Sequence, residues 1–287
     1  MNRRRFLAAL GAGALGALAA DAWLVEPRRL EVTRHDLGAR GPGGVRLTFV
    51  QITDLHLQKT GRLHRHLARE VARVRPHFVV LTGDSVDRRD ALPALAEFLG
   101  LLDPRTPKYA VLGNWEHWGG VDLADLASLY ARHGGRLLVN ETAVFAHGRA
   151  TVAVTGVDDL LGGRPDLGRA LGGVAPASAH LLLAHCPGYR DQLAARIVSP
   201  LTPVTASGGA PVDPGGFLAM LSGHTHGGQV SVLGWAPMLP RGSGRYMRGW
   251  FREPGLAPLY VSRGIGTSML PVRLGSVPEL AVFTMTV

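Results

Sequence analysis

The sequence predicts an α/β protein, and three observations carry that expectation. Apolar runs of strand length alternate with helical stripes along most of the chain. The late part is strand-rich, which argues against a purely parallel sheet. A chain of 287 residues, 46% hydrophobic and 18% charged, can bury a proper core in one large domain or two small ones. No internal repeat stands out, and no domain boundary is evident beyond residue 45.

At the start, Asn2-Arg3-Arg4-Arg5-Phe6-Leu7 leads into a Gly/Ala/Leu-rich stretch ending at Ala20, with small residues at Ala17 and Ala19. Basic, apolar and small-residue regions in that order describe an export signal, and Arg-Arg-x-Phe-Leu resembles a twin-arginine signal. Residues 1–20 are therefore expected to be a signal or, if Trp23-Leu24-Val25 extends the apolar run past Asp21, a membrane anchor. Residues 21–44 are read as an N-terminal strand and linker, and 45–287 as the main domain. The expected location is the cell envelope, periplasmic or on the outer face of the cytoplasmic membrane.

Leu30 to Asp36 and Val45 to Ile52 read as strands joined by Gly41-Pro42-Gly43-Gly44. Leu63, Leu67, Val71 and Val74 share one helical face, and Pro76 closes that helix. His77 to Leu81 is a strand, Leu92 to Leu102 a helix and Tyr109 to Leu112 a strand. Leu123, Leu126, Ala127 and Tyr130 stripe the next helix, which Gly134 can cap. Strands follow at Thr151 to Val157 and His180 to Ala184, then a helix from Tyr189 to Val198. Phe217 to Leu221, Leu259 to Ser262 and Leu280 to Thr284 complete the strands. The Pro/Gly/Thr-rich segment 199–216 is longer than an ordinary connection and reads as a flexible or lid-like insertion.

The formal charge of +9 favours anionic partners such as phosphate groups or an acidic bilayer. The basic residues are nearly all arginine, only Lys59 and Lys108 being lysine, and no dense basic run marks nucleic acid as a specific partner. The single cysteine, Cys186, excludes an intramolecular disulfide and a thiolate zinc cage.

Chemistry-bearing residues follow the apolar runs. Asp54-Leu55-His56, Gly83-Asp84-Ser85-Val86-Asp87, Gly113-Asn114-Trp115-Glu116-His117, His185 and Gly223-His224-Thr225-His226-Gly227-Gly228 each come after a strand-like segment. Ligands at the carboxyl ends of strands converge on one rim of an α/β sheet. An extended His-x-His would put both rings on one side, able to grip a metal. Oxygen and imidazole donors without thiolate suit Mn, Fe, Zn or Co. Taken singly, Asp54 and Asp84 read as helix caps and His185 as a satisfied core histidine; only the full set points to metal. Asp87 reads as a partner orienting a ligand, Cys186 as a small core residue, and His64, His66 and His133 as solvated.

This ordered set, D-x-H, G-D-x-x-D, G-N, a lone His and G-H-x-H, resembles the calcineurin-like metallophosphoesterases over residue 45 to the C-terminus. Tyr260-Val261-Ser262-Arg263-Gly264-Ile265-Gly266 and Pro278-Glu279-Leu280, with G-H-T-H-G-G-Q, are similar to an exported bacterial branch of that family, the YkuE/YaeI type. The resemblance implies a two-sheet sandwich flanked by helices, in four layers αββα. It also implies two divalent metal ions: Asp54, His56 and His226 at one, Asn114, His185 and His224 at the other, and Asp84 bridging. Two dications less two aspartates and one hydroxide leave about one positive charge, which attracts a phosphate ester. The implied reaction is in-line attack of metal-bound hydroxide on a phosphoester or pyrophosphate bond.

The family commonly has His directly after the Asn, where this chain has Trp115. His117, two residues on, would face the same side in an extended loop and act as the general acid; Glu116 or a metal-bound water is the alternative donor. In Trp235 to Phe251, Arg241 or Arg245 could clamp a second phosphate while the apolar groups meet an acyl chain or a bilayer. The plain reading of that segment is core aromatics with surface arginines. A phosphate-ester substrate, lipid-linked in the leading reading and met at the membrane surface, competes with a protein or nucleotide phosphatase and with a non-catalytic metal- or phosphate-binding module.

Overall fold

The computed structural model describes residues 2–39, 44–198 and 216–287. Most of the turn expected at Gly41-Pro42-Gly43-Gly44, and all of the lid-like stretch 199–216 except Gly216, lie outside the described residues.

The strands in chain order are β1 (Glu31–Ala39), β2 (Arg46–Ile52), β3 (Phe78–Thr82), β4 (Lys108–Val111), β5 (Gly135–Leu137), β6 (Glu141–His147), β7 (Ala150–Gly156), β8 (Ala179–Leu183), β9 (Ala219–Ser222), β10 (Gly249–Phe251), β11 (Leu259–Val261) and β12 (Glu279–Thr286). The helices are α1 (Arg3–Ala20), α2 (Arg62–Val74), α3 (Leu92–Gly100), α4 (Asn114–Trp118), α5 (Leu123–Arg132), α6 (Leu167–Ala170) and α7 (Tyr189–Val198). Two six-stranded sheets result, ordered β1-β12-β2-β3-β4-β5 and β10-β11-β9-β8-β7-β6. Both are mixed. In the first, β12 runs antiparallel to β2 but parallel to β1; in the second, β6 and β10 are antiparallel edges on a parallel centre.

Alternation along the strands builds the layers, because successive side chains point to opposite faces. Phe78 and Val80 of β3 and Leu181 and Leu183 of β8 pack between the sheets. Val79 and Leu81 turn outward under Leu67, Val71, Phe98 and Leu126 of α2, α3 and α5, and Leu182 turns outward beneath Leu167 and Leu193 of α6 and α7. The sandwich flanked by helices is thus written into period-two hydrophobicity. Each fully buried Leu, Val or Phe contributes about 1.5–3 kcal/mol.

Sequence expectation and structure differ in four places, each for a local reason. The strands at 31–39 and 46–52 do not pair with each other, because β12 lies between them. The short strand β5 and the edge strands β6 and β10 were not expected; β6 has a burial pattern that is mostly intermediate or exposed, which weakens its apolar signal. His64 is half-buried, not solvated: its Nδ1 accepts the Gly61 N–H at 3.0 Å where α2 begins, and burial lowers its pKa to about 4. Residues 114–118 are helical rather than extended.

At the N-terminus, α1 is followed by a π turn at Asp21–Val25 and a 3-10 turn at Glu26–Arg28. Among the described residues, no helix is long and apolar enough to cross a membrane.

Phe49 stacks between Phe78 and Phe283, with ring centroids 4.8 and 5.0 Å away. Phe49→Ala is expected to destabilise the domain by about 3–5 kcal/mol, read as a lowered urea midpoint with unchanged slope.

Candidate metal centre

The carboxyl ends of β2, β3 and β4 in one sheet and of β8 and β9 in the other meet at one end of the sandwich. Gln51 ties the two edges together: its Nε2 donates to Thr82 Oγ1 at 2.8 Å in its own sheet and to Ser222 O at 3.0 Å in the other. The loops leaving these strands bring the expected residues together. Ligand atoms of Asp54, His56 and His226 lie within 4.8 Å of one another, as do those of Asp84, His185 and His224, and all six residues are buried.

The imidazoles are oriented by what holds their far nitrogens. His185 Nδ1 donates to the Thr82 carbonyl at 2.7 Å, His224 Nε2 donates to the Arg241 carbonyl at 2.6 Å, and His56 Nδ1 donates to Asp87. A histidine that donates from one nitrogen offers a lone pair at the other. Those second nitrogens face another ring: His56 Nε2 is 3.0 Å from His226 Nε2, and His185 Nε2 is 3.2 Å from His224 Nδ1. The Asp84 Oδ2 atom sits between the groups, 3.1 Å from His185 Nε2 and 3.7 Å from His56 Nε2, while its Oδ1 accepts the Trp115 N–H at 2.9 Å. Asp54 accepts the His224 N–H at 2.9 and 3.0 Å. Asn114 Oδ1 is buried without a hydrogen-bond partner among the described residues. Converging lone pairs and an orphaned amide oxygen fit a pair of cations.

Protonation divides along the facing pairs. Burial disfavours charge on His56, yet its hydrogen bond to Asp87 and the nearby carboxylates outweigh this and raise its pKa. His226 opposite is pushed well down by burial and by the charges of His56 and Arg273. Burial likewise opposes charge on His185, but Asp84 and Asp54 carry its pKa well above the usual value, while burial and His185 lower His224 to about 4. Burial also works against the charge of Asp84, and His185 and His56 still hold its carboxyl below the usual range. In each facing pair, then, one ring is favoured as the proton holder and the other disfavoured.

The loop shapes are demanding. Asp54, His56, Asp84, His224 and His226 all have positive φ, between 43° and 74°, a region non-glycine residues visit only when surroundings enforce it. Glu116 is one enforcer. Its Oε1 accepts the N–H groups of Ser85 at 2.6 Å and Val86 at 3.3 Å, and its Oε2 those of Gly113 at 2.9 Å and Asp84 at 3.1 Å. Gly83 is required for space, since a Cβ there would stand 2.6 Å from His185 Nδ1.

Two expectations change in detail. The His-x-His pair is not extended: Thr225 is helical and His226 opens a 3-10 turn, and the two rings go to different groups. The premise that set His117 beside Trp115 fails because α4 is helical. His117 Nε2 instead lies 2.7 Å from Asp158 Oδ1, and His117 is not among the residues lining the adjoining cavity. That cavity, about 500 Å3, is floored by Asp84, Asn114, His224 and His226 and walled by Trp115, Trp118, Leu161, Met238, Met269 and Leu270. Arg241 also lines it, whereas Arg245 is tied to Glu253 at 2.6 Å.

Sequence reading missed two supports. Arg273 is fully buried, donates to the carbonyls of Gly266, Arg263 and Ser276, and brings its guanidinium within 3.3 Å of His226 Nδ1. Gln229 donates to the carbonyls of Ser268 and Leu270 at 3.0 and 3.2 Å and accepts the Ser268 N–H at 2.9 Å, joining the loop after His226 to the loop at 268–270. Only the Gln of G-H-T-H-G-G-Q was visible beforehand; a lone arginine in a loop gives no signal.

A helix-flanked sandwich with two buried His/Asp groups at its strand ends defines a dinuclear metallohydrolase class. The calcineurin-like phosphoesterase family matches residues 47–228, more than half of the chain. The sequence is 30% identical to YkuE of Bacillus subtilis, described as an uncharacterised metallophosphoesterase, over 99% of this chain and 98% of that one. It is 26% identical to the phosphodiesterase YaeI of Escherichia coli over 99% of each chain. A dimetal phosphatase from Danio rerio superposes with a TM-score of 0.45 at 15% identity, over 76% of this chain and 88% of that one, too distant to bear on the site. The chain belongs to the calcineurin-like phosphoesterases and is a metal-dependent phosphoesterase of that dinuclear family.

Two measurements check this geometry. Glu116→Gln turns one acceptor oxygen into a donor facing two N–H groups and is expected to cost about 3 kcal/mol or more, seen as a lower unfolding midpoint with reduced metal content. Because nearby carboxylates outweigh burial and raise the pKa values of His56 and His185, metal uptake is expected to release protons and to tighten as pH rises. Titration calorimetry in buffers of different ionisation enthalpy counts them.

Proposed function

We propose that the chain hydrolyses a phosphodiester-type bond in a substrate carrying an apolar, lipid-like group. In this reading Asp54, His56 and His226 hold one divalent cation, Asn114, His185 and His224 hold the second, and Asp84 lies between them. The observation that carries it is the two pairs of facing imidazole nitrogens, 3.0 and 3.2 Å apart, beside an anionic Asp84. Two such cations polarise phosphoryl oxygens and make hydroxide available near neutral pH.

The protein's own groups do the rest. Asp87 and the Thr82 and Arg241 carbonyls keep three imidazoles in the ligating tautomer. The Arg241 side chain, exposed at the cavity wall, offers charge to an anionic group. Trp115, Leu161 and Met269 give the cavity an apolar side against which a hydrocarbon portion packs while the phosphate meets the polar floor. The relative named a phosphodiesterase supports a diester. Export to the cell envelope is part of the proposal, supported by the Arg-Arg-x-Phe-Leu start and the Ala/Leu-rich helix that it opens.

Bis-nitrophenyl phosphate turnover by metal-loaded protein tests the reaction. Asp84→Asn is expected to lower it by about 100-fold or more, at or above the upper end for groups that orient a metal, with loss of metal by elemental analysis. A mutant that keeps metal and rate would overturn the ligand assignment. Given the Asp158 pairing of His117, His117→Ala is expected to leave the apparent pKa values of the pH–rate profile in place; a displaced basic limb would show that the leaving-group proton passes through His117.

A further inference from the structure

Two loops beside the cavity hold large apolar side chains out into solvent. In the loop after the His-x-His turn, Leu233 is fully exposed, Met238 is 79% and Trp235 67% exposed; in the other, Met269 is 90% exposed and Leu270 follows it. Soluble proteins rarely expose apolar groups in such contiguity unless something covers them. Both tips are held in that pose: Leu233 and Met269 have φ of 52° and 61°, a strained region for such residues. The loops form one unit. Gln229 bonds across to Ser268 and Leu270, and Leu274 N–H donates to Gln229 O at 2.9 Å while Ser231 N–H donates to Leu274 O at 2.7 Å.

The N-terminal segment is fastened to the same unit. Ala22 O accepts the Arg273 N–H at 3.0 Å, and the buried Glu26 carboxylate accepts the N–H groups of Gly275, at 3.0 Å, and Ser276. Between these anchors stand exposed Trp23, Leu24 and Val25, and before them α1, where exposed Leu7, Leu10, Leu15 and Leu18 fall within one helical face by their spacing. Exposed Arg28, Arg29 and Arg241 accompany this surface on a chain of net charge +9. Apolar tips with flanking arginines are the composition of an interfacial anchor on anionic lipid.

We propose that the loops at 232–238 and 268–270, together with the N-terminal segment, dock the protein on an anionic bilayer with the cavity mouth at the lipid surface. The apolar tips enter the headgroup–acyl boundary, and the cavity walls Met238, Met269 and Leu270 continue that apolar surface down to the polar floor. A phosphoester borne on a lipid then reaches Asp84 without its hydrocarbon crossing water. Only the identity of the reaction rests on the phosphoesterase reading; the docking does not.

The test uses the full chain with Leu233→Cys carrying an environment-sensitive fluorophore, Cys186 being buried. Ala146→Cys, on exposed β6 at the opposite end of the sheets, is the control. Vesicles of phosphatidylcholine with phosphatidylglycerol are expected to blue-shift the label at 233 and expose it to quenching by nitroxide lipids, with the control unchanged. Vesicle binding with no shift at 233 would show anchoring by α1 alone and overturn the proposal. A concentration-dependent shift without vesicles would overturn it in favour of a second copy covering the loops. As a second arm, Leu233→Glu with Trp235→Glu, neither lining the cavity, is expected to slow hydrolysis of a vesicle-borne lipid diester about tenfold or more and leave bis-nitrophenyl phosphate hydrolysis unchanged; equal rates on vesicles would overturn it. Insertion of the label without turnover of any ester would leave the docking intact and count against the phosphoesterase reading instead.

Discussion

Everything at this site depends on four imidazoles brought nose to nose from two separate sheets. His56 comes from the first sheet and His185, His224 and His226 from the second, and pairs of their nitrogens stand 3.0 and 3.2 Å apart. Neutral lone pairs at that distance repel one another unless a proton or a cation lies between them, and within each pair the surroundings raise the proton affinity of one ring and lower that of the other. The fold accepts this arrangement because each ring is tethered at its back to a carbonyl, a carboxylate or a guanidinium. The loops after β3 and β4 are held in turn by Glu116, which accepts the N–H groups of Asp84, Ser85 and Gly113.

Much of the architecture is legible in the sequence. Period-two hydrophobicity in segments such as 78–82 and 179–183, alternating with helical stripes, specifies which faces are buried, and burial on both faces demands outer helices. What pattern reading could not give was pairing. Nothing local to residues 279–286 says that they sit between β1 and β2, because strand partners are selected by non-local packing. Short edge strands such as β5 and β10 carry too few residues for a period to show.

The site was legible as a set and less so in its details. Seven side chains in order after strand ends were enough to name the residues that converge, whereas the reason first offered for the His-x-His pair, an extended segment, is not the one the chain uses. Local conformation decided both departures. A turn at 224–228 separates the two rings, and a single helical turn at 114–118 directs His117 to Asp158. Arg273 and Gln229 were invisible as partners because their roles exist only once loops distant in sequence have packed.

The placement of β12 bears on how the molecule is assembled. This strand is bonded on both sides, in parallel to Glu31–Ala39 and antiparallel to Arg46–Ile52, so one sheet stays split until residues near 280 have left the ribosome. During synthesis Phe49 then lacks its stacking neighbour Phe283, and Glu279 cannot yet receive Thr33 and Tyr260. Long-range closure of this kind makes folding slow and leaves a half-built sheet edge open to mispairing or to chaperones.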